Sequence, residues 1–317
     1  VSSAPGSIRI GTRGSALAIA QTGAIAESIA KTSGLPLEIV TIATEGDHSK
    51  APLASLGGTG VFASALREAL LREECDLVVH SLKDLPTTPY AGLRIGAIPK
   101  RADARDVLCA RDDLTLDGLE PGARVGTGSP RRAAQLRGSR SDVEVVDIRG
   151  NVDTRLGRIG TDLDAVVLAA AGLSRLGRLD AVTEFFELGR WATAPGQGAL
   201  GIEVRDSYSS DFAAILKSID HTSSRLCALA ERAVLRRFEA GCAAPIGASA
   251  VVDGEMLFLT ATVYVSDGSG SLTSSHALVI EGSAAERALL PDDLGDRVAD
   301  ELLRLGAADI APLGVSS

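Results

Sequence analysis

A chain of 317 residues is long enough for two or three domains. Hydrophobic residues make up 45% of it but aromatic residues only 3%, which points to the Ala/Val/Leu/Ile interior that helix-covered parallel sheets bury. The formal net charge of -9 argues against nonspecific nucleic-acid binding. No apolar run reaches the roughly 18 residues of a membrane span, and Val1 to Ser7 lacks the build of a signal peptide. A soluble cytoplasmic protein is expected.

The predicted elements begin with a short strand, Arg9-Ile10-Gly11-Thr12, which turns at Arg13-Gly14-Ser15 into a helical pattern containing Gln21. A second strand, Glu38 to Ile42, runs into Thr44-Glu45-Gly46-Asp47, and the Gly-rich stretch from Thr44 to Gly60 reads as a mobile lid. A helix follows, then a third strand, Asp76 to Val79, from which His80-Ser81-Leu82-Lys83-Asp84-Leu85-Pro86 departs. The series then recurs. Arg124-Val125-Gly126-Thr127-Gly128-Ser129 with Gln135 matches the opening strand and turn, Glu144 to Ile148 runs into Arg149-Gly150-Asn151, and Asp164 to Val167 is the third strand. Strands alternating with helices predict parallel sheets with right-handed crossovers, and therefore two similar α/β lobes.

Boundaries are expected near Pro99 to Asp103 and near Thr193 to Gly198, the second followed by a strand, Leu200 to Val204, that can return the chain to the first lobe. Two crossings would make a hinge, with a ligand cleft between the lobes. Beyond Lys217 the pattern changes. A helix is expected from Ser223 to Glu239, with Leu226, Leu229, Ala230, Ala233, Val234 and Phe238 on one face and Gly241 placed to stop it. Strands at Gly247 to Val252, Met256 to Val265 and Ser271 to Ile280, separated by Asp253-Gly254 and Asp267-Gly268, form an antiparallel meander, and a helix over Asp292 to Leu305 closes the chain. The division is thus 1–99 with 200–217 as the first lobe, 104–194 as the second, and 221–317 as a small α+β domain with a three-stranded antiparallel sheet.

Three places carry candidate chemistry. The turns at Arg13-Gly14-Ser15 and Thr127-Gly128-Ser129-Pro130 run from strand to helix N-terminus, where exposed N–H groups favour anions; simple N-capping by Ser15 and Ser129 is the plainer alternative. Eleven Arg and no Lys lie between Arg124 and Arg190, although the whole chain has only five Lys, so a general bias toward Arg accounts for part of this. Planar guanidiniums beside glycine turns suit carboxylates. The second place is Asp84, either a solvated turn residue or a carboxylate able to stabilise a cation or handle a proton; His80 reads as a strand residue and not a base. The third is Cys242, in Glu239-Ala240-Gly241-Cys242-Ala243-Ala244-Pro245-Ile246-Gly247, where small neighbours and Pro can hold a sulfur outward for nucleophilic use. Cys75, Cys109 and Cys227 sit in apolar patterns as filler, and no Cys/His spacing suggests a metal.

Taken together, Ile10 to Ala18, His80 to Pro86, Gly126 to Arg132, Asp147 to Leu156, Ala171-Gly172-Leu173, Ala194 to Gly201 and Gly241 to Gly247 resemble, in order, the conserved blocks of the porphobilinogen deaminases. The resemblance implies two lobes like type II periplasmic binding proteins joined by a hinge, with a third domain carrying the cofactor cysteine. It implies a dipyrromethane cofactor in thioether linkage to Cys242. Porphobilinogen would lose ammonia to give an electrophilic azafulvene, attacked by the growing chain until four additions and a hydrolysis release hydroxymethylbilane. Six rings with an acetate and a propionate each would bring about a dozen negative charges, and a like-charge contact at 4 Å costs roughly 4 kcal/mol at an effective dielectric near 20, so a cationic cleft is required.

By the same resemblance Asp84 is the catalytic carboxylate, with Lys83, Arg149 and Arg155 also catalytic. Cys242, Arg13, Ser15, Lys83, Asp84, Thr127, Ser129, Arg131, Arg132, Arg149, Asn151, Arg155, Arg175 and Gln197 would hold the cofactor, and no metal is implied. A monomer is implied too, with room for a transient handover of product to the next enzyme of the pathway. One departure stands out: many relatives have PLxKxGGKG where Pro52 to Gly60 reads PLASLGGTG, with Ser55 and Thr59 in place of the two lysines. Two alternatives compete, a non-catalytic anion-binding protein of the same two-lobed form and a thiol enzyme acting on another carboxylated substrate; the first needs neither Cys242 nor Asp84.

Overall fold

The computed structural model describes residues 7–43, 61–241 and 244–314. Two compact units emerge, one from the described residues up to 102 together with 199–225, the other from 103–198 together with those from 226 onward.

The first unit is built on β1 (Ile8–Arg13), β2 (Leu37–Ile42), β3 (Leu77–Ser81), β4 (Leu93–Ala97) and β10 (Leu200–Arg205), in the order β2-β1-β3-β10-β4. Helix α1 (Ala16–Ser33) starts where Ser15 accepts from the Ala18 N–H at 3.3 Å and stops at Gly34, whose φ of 66° closes the last turn onto the Ala30 carbonyl. It lays Ile25 and Ile29 against Ile8, Ile10, Leu77 and Val79. Helix α2 (Val61–Leu71) covers the other face, placing Leu66, Ala69 and Leu70 on Val78.

The second unit repeats the plan with β5 (Asp106–Ala110), β6 (Arg124–Gly126), β7 (Glu144–Val146), β8 (Ala165–Ala169) and β9 (Glu184–Phe185), ordered β7-β6-β8-β5-β9. Place for place, β6, β7, β8, β5 and β9 stand where β1, β2, β3, β10 and β4 stand in the first sheet. Helices α3 (Pro130–Ser139), α4 (Val152–Leu156) and α5 (Ala170–Arg175) follow the first three of them in sequence. Strand β8 is buried on both faces, which is why it reads as a continuous apolar run instead of an alternating one.

Each sheet departs from the expected all-parallel arrangement in one strand. β10 runs antiparallel to both β3 and β4, and β5 to both β8 and β9. Both are the first strands formed after the chain passes from one unit into the other. A strand that arrives by such a passage, and not by a helical crossover on the sheet face, is under no requirement to run parallel.

Beyond α6 (Ser210–Ile219) and α7 (Thr222–Arg237) lies the meander of β11 (Ile246–Asp253), β12 (Met256–Tyr264) and β13 (Ser271–Val279), each within two residues of its predicted bounds. Its inner face, with Ala248, Leu259, Ala261 and Val263, packs with Leu226, Val234 and Phe238 of the α7 region and with Leu294, Val298 and Leu302 of α8 (Ala284–Arg304). Two expectations fail here. The chain leaves α7 at Glu239, not Gly241: Glu239 takes φ 50° and the Ala240 N–H reaches back to the Leu235 carbonyl at 3.0 Å. A left-handed non-glycine residue costs about 1–2 kcal/mol, which this closing bond offsets. Helix α8 starts at Ala284 and not near Asp292, because Ser283 and Glu286 form a capping box that launches it ahead of Pro291. A short helix, α9 (Ala307–Ile310), ends the described chain. No helix among the described residues is long and apolar enough to cross a membrane.

Candidate active site

In the first unit, the C-terminal ends of β1 and β3 lie close together because the two strands are paired and parallel. The first ends at Arg13 and turns into α1, and the second ends at Ser81 and continues as a 3-10 turn over Leu82–Asp84. A cavity of about 70 Å³ opens there, lined by Arg13, Ser15, Gln21, His80, Ser81 and Asp84 among others. Asp84 is exposed, and among the described residues no hydrogen bond or ion pair engages its carboxylate. Lys83 beside it is half-buried. Ser15 is an N-cap, so the plainer alternative holds for its hydroxyl, yet it also faces the cavity.

In the second unit the corresponding turn is fixed by contact. A Cβ on Gly128 would stand 2.5 Å from the Ile148 carbonyl oxygen, so only glycine fits where the β6 turn passes the end of the neighbouring strand. Thr127, 2% exposed, accepts from the Ser129 N–H at 3.3 Å, and Ser129 caps α3 by accepting from the Arg132 N–H at 3.5 Å. The first helical turn then directs Arg131 and Arg132 inward onto Asp106, which is 0% exposed. Its two oxygens take Arg131 at 2.8 Å, Arg132 at 2.6 Å, the Trp191 indole at 3.0 Å and the Gln197 amide at 2.8 Å. Burial alone would raise the Asp106 pKa, but the two guanidiniums and these hydrogen bonds hold it well below the usual carboxylate range. Arg131 also donates to the Gln135 side chain and the Ala192 carbonyl, both at 2.6 Å.

The remaining arginines ring this hub. Arg155 donates to the Gly150 carbonyl at 2.8 Å. Desolvation, followed by the nearby charges of Arg132 and Arg149, pulls its pKa down, and Asp147 alone pulls the other way. Arg149 lies 3.7 Å from Asp147. Asn151 spends its side-chain oxygen on capping α4, accepting from the Thr154 N–H and hydroxyl, both at 2.8 Å. Arg175 donates to the Gly198 carbonyl at 2.7 Å, and burial lowers its pKa as well.

The geometry therefore sorts the predicted residues. Arg13, Ser15 and Asp84 share one cavity with Lys83 next to it in the chain, and Arg132, Arg149 and Arg155 form one cationic patch. Arg131, Arg132 and Gln197 are already bonded to Asp106, which sequence reasoning missed along with Trp191. The signal was there, in an aspartate opening the apolar run Asp106-Val107-Leu108-Cys109. Gln21 and Gln135, matched in the sequence repeat, are both buried, the first at the cavity and the second on Arg131. Cys242 and the stretch 44–60, with Ser55 and Thr59, lie outside the described residues. Cys75, Cys109 and Cys227 are buried, and burial pushes the first two thiols up to about 11 and about 12, so they are inert.

The donor set fits a group rich in carboxylates. Two guanidiniums share the single carboxylate of Asp106, and Arg149 and Arg155 add two charges against Asp147. The Nε atoms of Arg131 and Arg132 are buried without a partner. Such a surplus of half-buried positive charge calls for an anion.

A carboxylate at the end of one sheet and an arginine patch beside the matching turn of the other belong to an α/β protein built from two lobes of repeated plan. The family model "Porphobilinogen deaminase, dipyromethane cofactor binding domain" matches residues 8–211, and "Porphobilinogen deaminase, C-terminal domain" matches 225–304. The porphobilinogen deaminase of Leifsonia xyli subsp. xyli (strain CTCB07) is 59% identical over 313 residues, covering 97% of this chain and 95% of that protein. That of Cutibacterium acnes (strain DSM 16379 / KPA171202) is 52% identical over 328 residues and covers 98% of both. The chain belongs to the porphobilinogen deaminase family. Among solved structures, a periplasmic substrate-binding protein of an ABC transporter from Coxiella burnetii superposes loosely, with TM-score 0.43 at 12% identity over 67% of this chain and 91% of that one. The methionine-binding protein MetQ does so with TM-score 0.43 at 13% identity, over 68% and 89%.

Proposed function

We propose that this chain joins four porphobilinogen molecules into hydroxymethylbilane, with release of ammonia, on a dipyrromethane group held in thioether linkage to Cys242. The observation that carries this reading is the surplus of guanidinium charge around Asp106 and Asp147, matched to the acetate and propionate groups of every pyrrole ring. When bound, the dipyrromethane group supplies the nucleophilic pyrrole carbon to which units are added.

The chain's own residues then have separable tasks. Arg149 and Arg155 hold carboxylates and orient the rings that bear them, and Arg13, Ser15, Lys83, Thr127, Ser129, Asn151, Arg175 and Gln197 complete the set of donors. Arg131 and Arg132, tied to Asp106, keep the patch rigid and positive. Asp84 accepts pyrrole N–H groups, holds a proton at a carboxyl oxygen for the departing amine, and stabilises the cation left behind. The first lobe supplies this carboxylate, the second the arginines, and the C-terminal α+β domain the cysteine. The enzyme acts as a monomer in the cytoplasm, without nucleic acid or membrane, and hands its product briefly to the next enzyme of the pathway.

The test is the intact mass of the denatured protein beside Cys242→Ser. Wild type should exceed its sequence mass by two linked pyrrole units and the variant should not. No excess in wild type, even after incubation with porphobilinogen, would leave a non-catalytic anion binder as the better reading. A second expected outcome separates binding from chemistry. Arg149→Ala should retain the bound group but slow elongation by about tenfold or more, the scale of one lost charge-assisted hydrogen bond. Unchanged rates and an unchanged distribution of partly extended species would remove Arg149 from that task.

A further inference from the structure

Behind the Asp84 cavity runs a buried ionic row for which the proposed chemistry has no use. Arg67 on α2, Glu203 on β10 and His80 on β3 are only 6%, 3% and 7% exposed. Arg67 Nε donates to both Glu203 oxygens, at 3.0 and 3.1 Å, and a terminal nitrogen lies 2.9 Å from Oε1. The Tyr90 ring covers the guanidinium at 4.8 Å. At the other end of the row, His80 Nε2 lies 3.1 Å from Glu203 Oε2. His80 also belongs to the cavity wall, with Arg13, Ser15, Ser81 and Asp84.

The proton on the imidazole follows from these partners. Burial would raise the Glu203 pKa, but the hydrogen bonds from His80 and Arg67 outweigh it and keep the carboxyl below its ordinary range. An ionised carboxylate only accepts, so the ring nitrogen facing it carries hydrogen. A neutral ring makes the row neutral, with one guanidinium and one carboxylate. The neutral ring protonated at Nε2 keeps a lone pair on Nδ1.

We propose that Arg67 and Glu203 are positioning residues that lock His80 as its Nε2–H tautomer, leaving Nδ1 as a second acceptor, with Asp84, for a substrate N–H group in the cavity that both residues line. The ligand follows from the functional reading above, since porphobilinogen brings both a pyrrole N–H and an aminomethyl group, and two acceptors at separate points of one cavity wall fix the direction of each donor. A salt bridge serving stability alone would have no reason to end in an imidazole at a cavity wall. His80 thus takes no proton from the substrate; it fixes where the N–H donors point.

The chain has only four histidines, so the holoenzyme labelled with ¹⁵N-histidine gives an assignable imidazole spectrum. At neutral pH the His80 ring should show a protonated Nε2 and an unprotonated Nδ1. In Glu203→Gln, whose amide can present N–H to the ring, the proton should move to Nδ1. Kinetics give the independent reading. His80→Leu should raise KM for porphobilinogen by roughly tenfold with a much smaller change in kcat, and His80→Asn, which keeps an acceptor near the Nδ1 position, should recover most of that loss. A wild-type ring protonated at Nδ1 or at both nitrogens overturns the proposal, as does a KM in His80→Leu equal to that of wild type. If Glu203→Gln does not fold, the wild-type spectrum and the His80 pair still decide. Wild-type protein that makes no tetrapyrrole overturns the functional reading instead, and the tautomer is then read separately from the spectrum.

Discussion

Asp84→Asn should lower the rate of hydroxymethylbilane formation by about 10²–10⁴, the range in which a positioned carboxyl contributes by moving or holding a proton. The substitution preserves shape and removes both the charge and the exchangeable proton. It should leave folding intact, because Asp84 is exposed and ends a short turn whose backbone closure, Leu85 N–H to the Leu82 carbonyl at 3.4 Å, does not involve its side chain. Thermal unfolding should therefore match wild type within experimental scatter while turnover collapses. Turnover within about threefold of wild type would take the carboxylate out of the chemistry altogether, since a contribution that small lies below the range for acid–base catalysis.

The second large effect concerns stability. Asp106→Asn leaves two buried guanidiniums facing an amide, and removal of one partner from a buried ionic cluster costs about 3–5 kcal/mol. The urea midpoint at neutral pH should fall accordingly; a loss below about 1 kcal/mol would mean that Arg131 and Arg132 find other partners. Acid gives a further check. Because the Asp106 pKa is lower in the folded than in the unfolded chain, its contribution is complete above the unfolded value of about 4 and drains away as pH falls below that. The gap between wild type and Asp106→Asn should narrow in acid, whereas a purely steric effect would persist. Loss of this hub should also disturb the patch, since Arg132 is one of the charges acting on Arg155.

Much of the fold was legible because it is repeated. The glycine turns after β1 and β6 and the buried Gln21 and Gln135 appear twice in sequence and twice in space, and the meander announces itself by its Asp-Gly turns. What could not be read was strand direction and helix termini. Nothing local in Leu200 to Arg205 says antiparallel; the direction comes from the path by which the chain arrives. Glu239 has no propensity for the left-handed conformation, and tertiary packing places it there. Pro291 reads locally as a helix start, but the Ser283–Glu286 box begins the helix earlier. The site was legible as a set of charges but not as a set of pairings. Sequence shows Arg131-Arg132 beside a glycine turn, whereas their partner Asp106 stands about a quarter of a hundred residues away, on a strand that reads as plain core. Glu203 was hidden in the same way, an acid inside the apolar strand Leu200-Gly201-Ile202-Glu203-Val204 that acquires meaning only when β10 comes to lie beside His80.

The exchange of one strand between the two halves of the chain also sets an order of maturation during synthesis. Among the described strands β4 pairs only with β10, so a nascent chain that has emerged through residue 198 still holds an incomplete first sheet, with β3 and β4 both waiting for their common neighbour. The sheet of the second unit draws all five of its strands from one uninterrupted stretch, β5 to β9, and can close while the first remains open. The half that is translated first is therefore the one that finishes later. Until residue 205 is available, its unpaired strand edges are the part of the molecule most exposed to wrong partners.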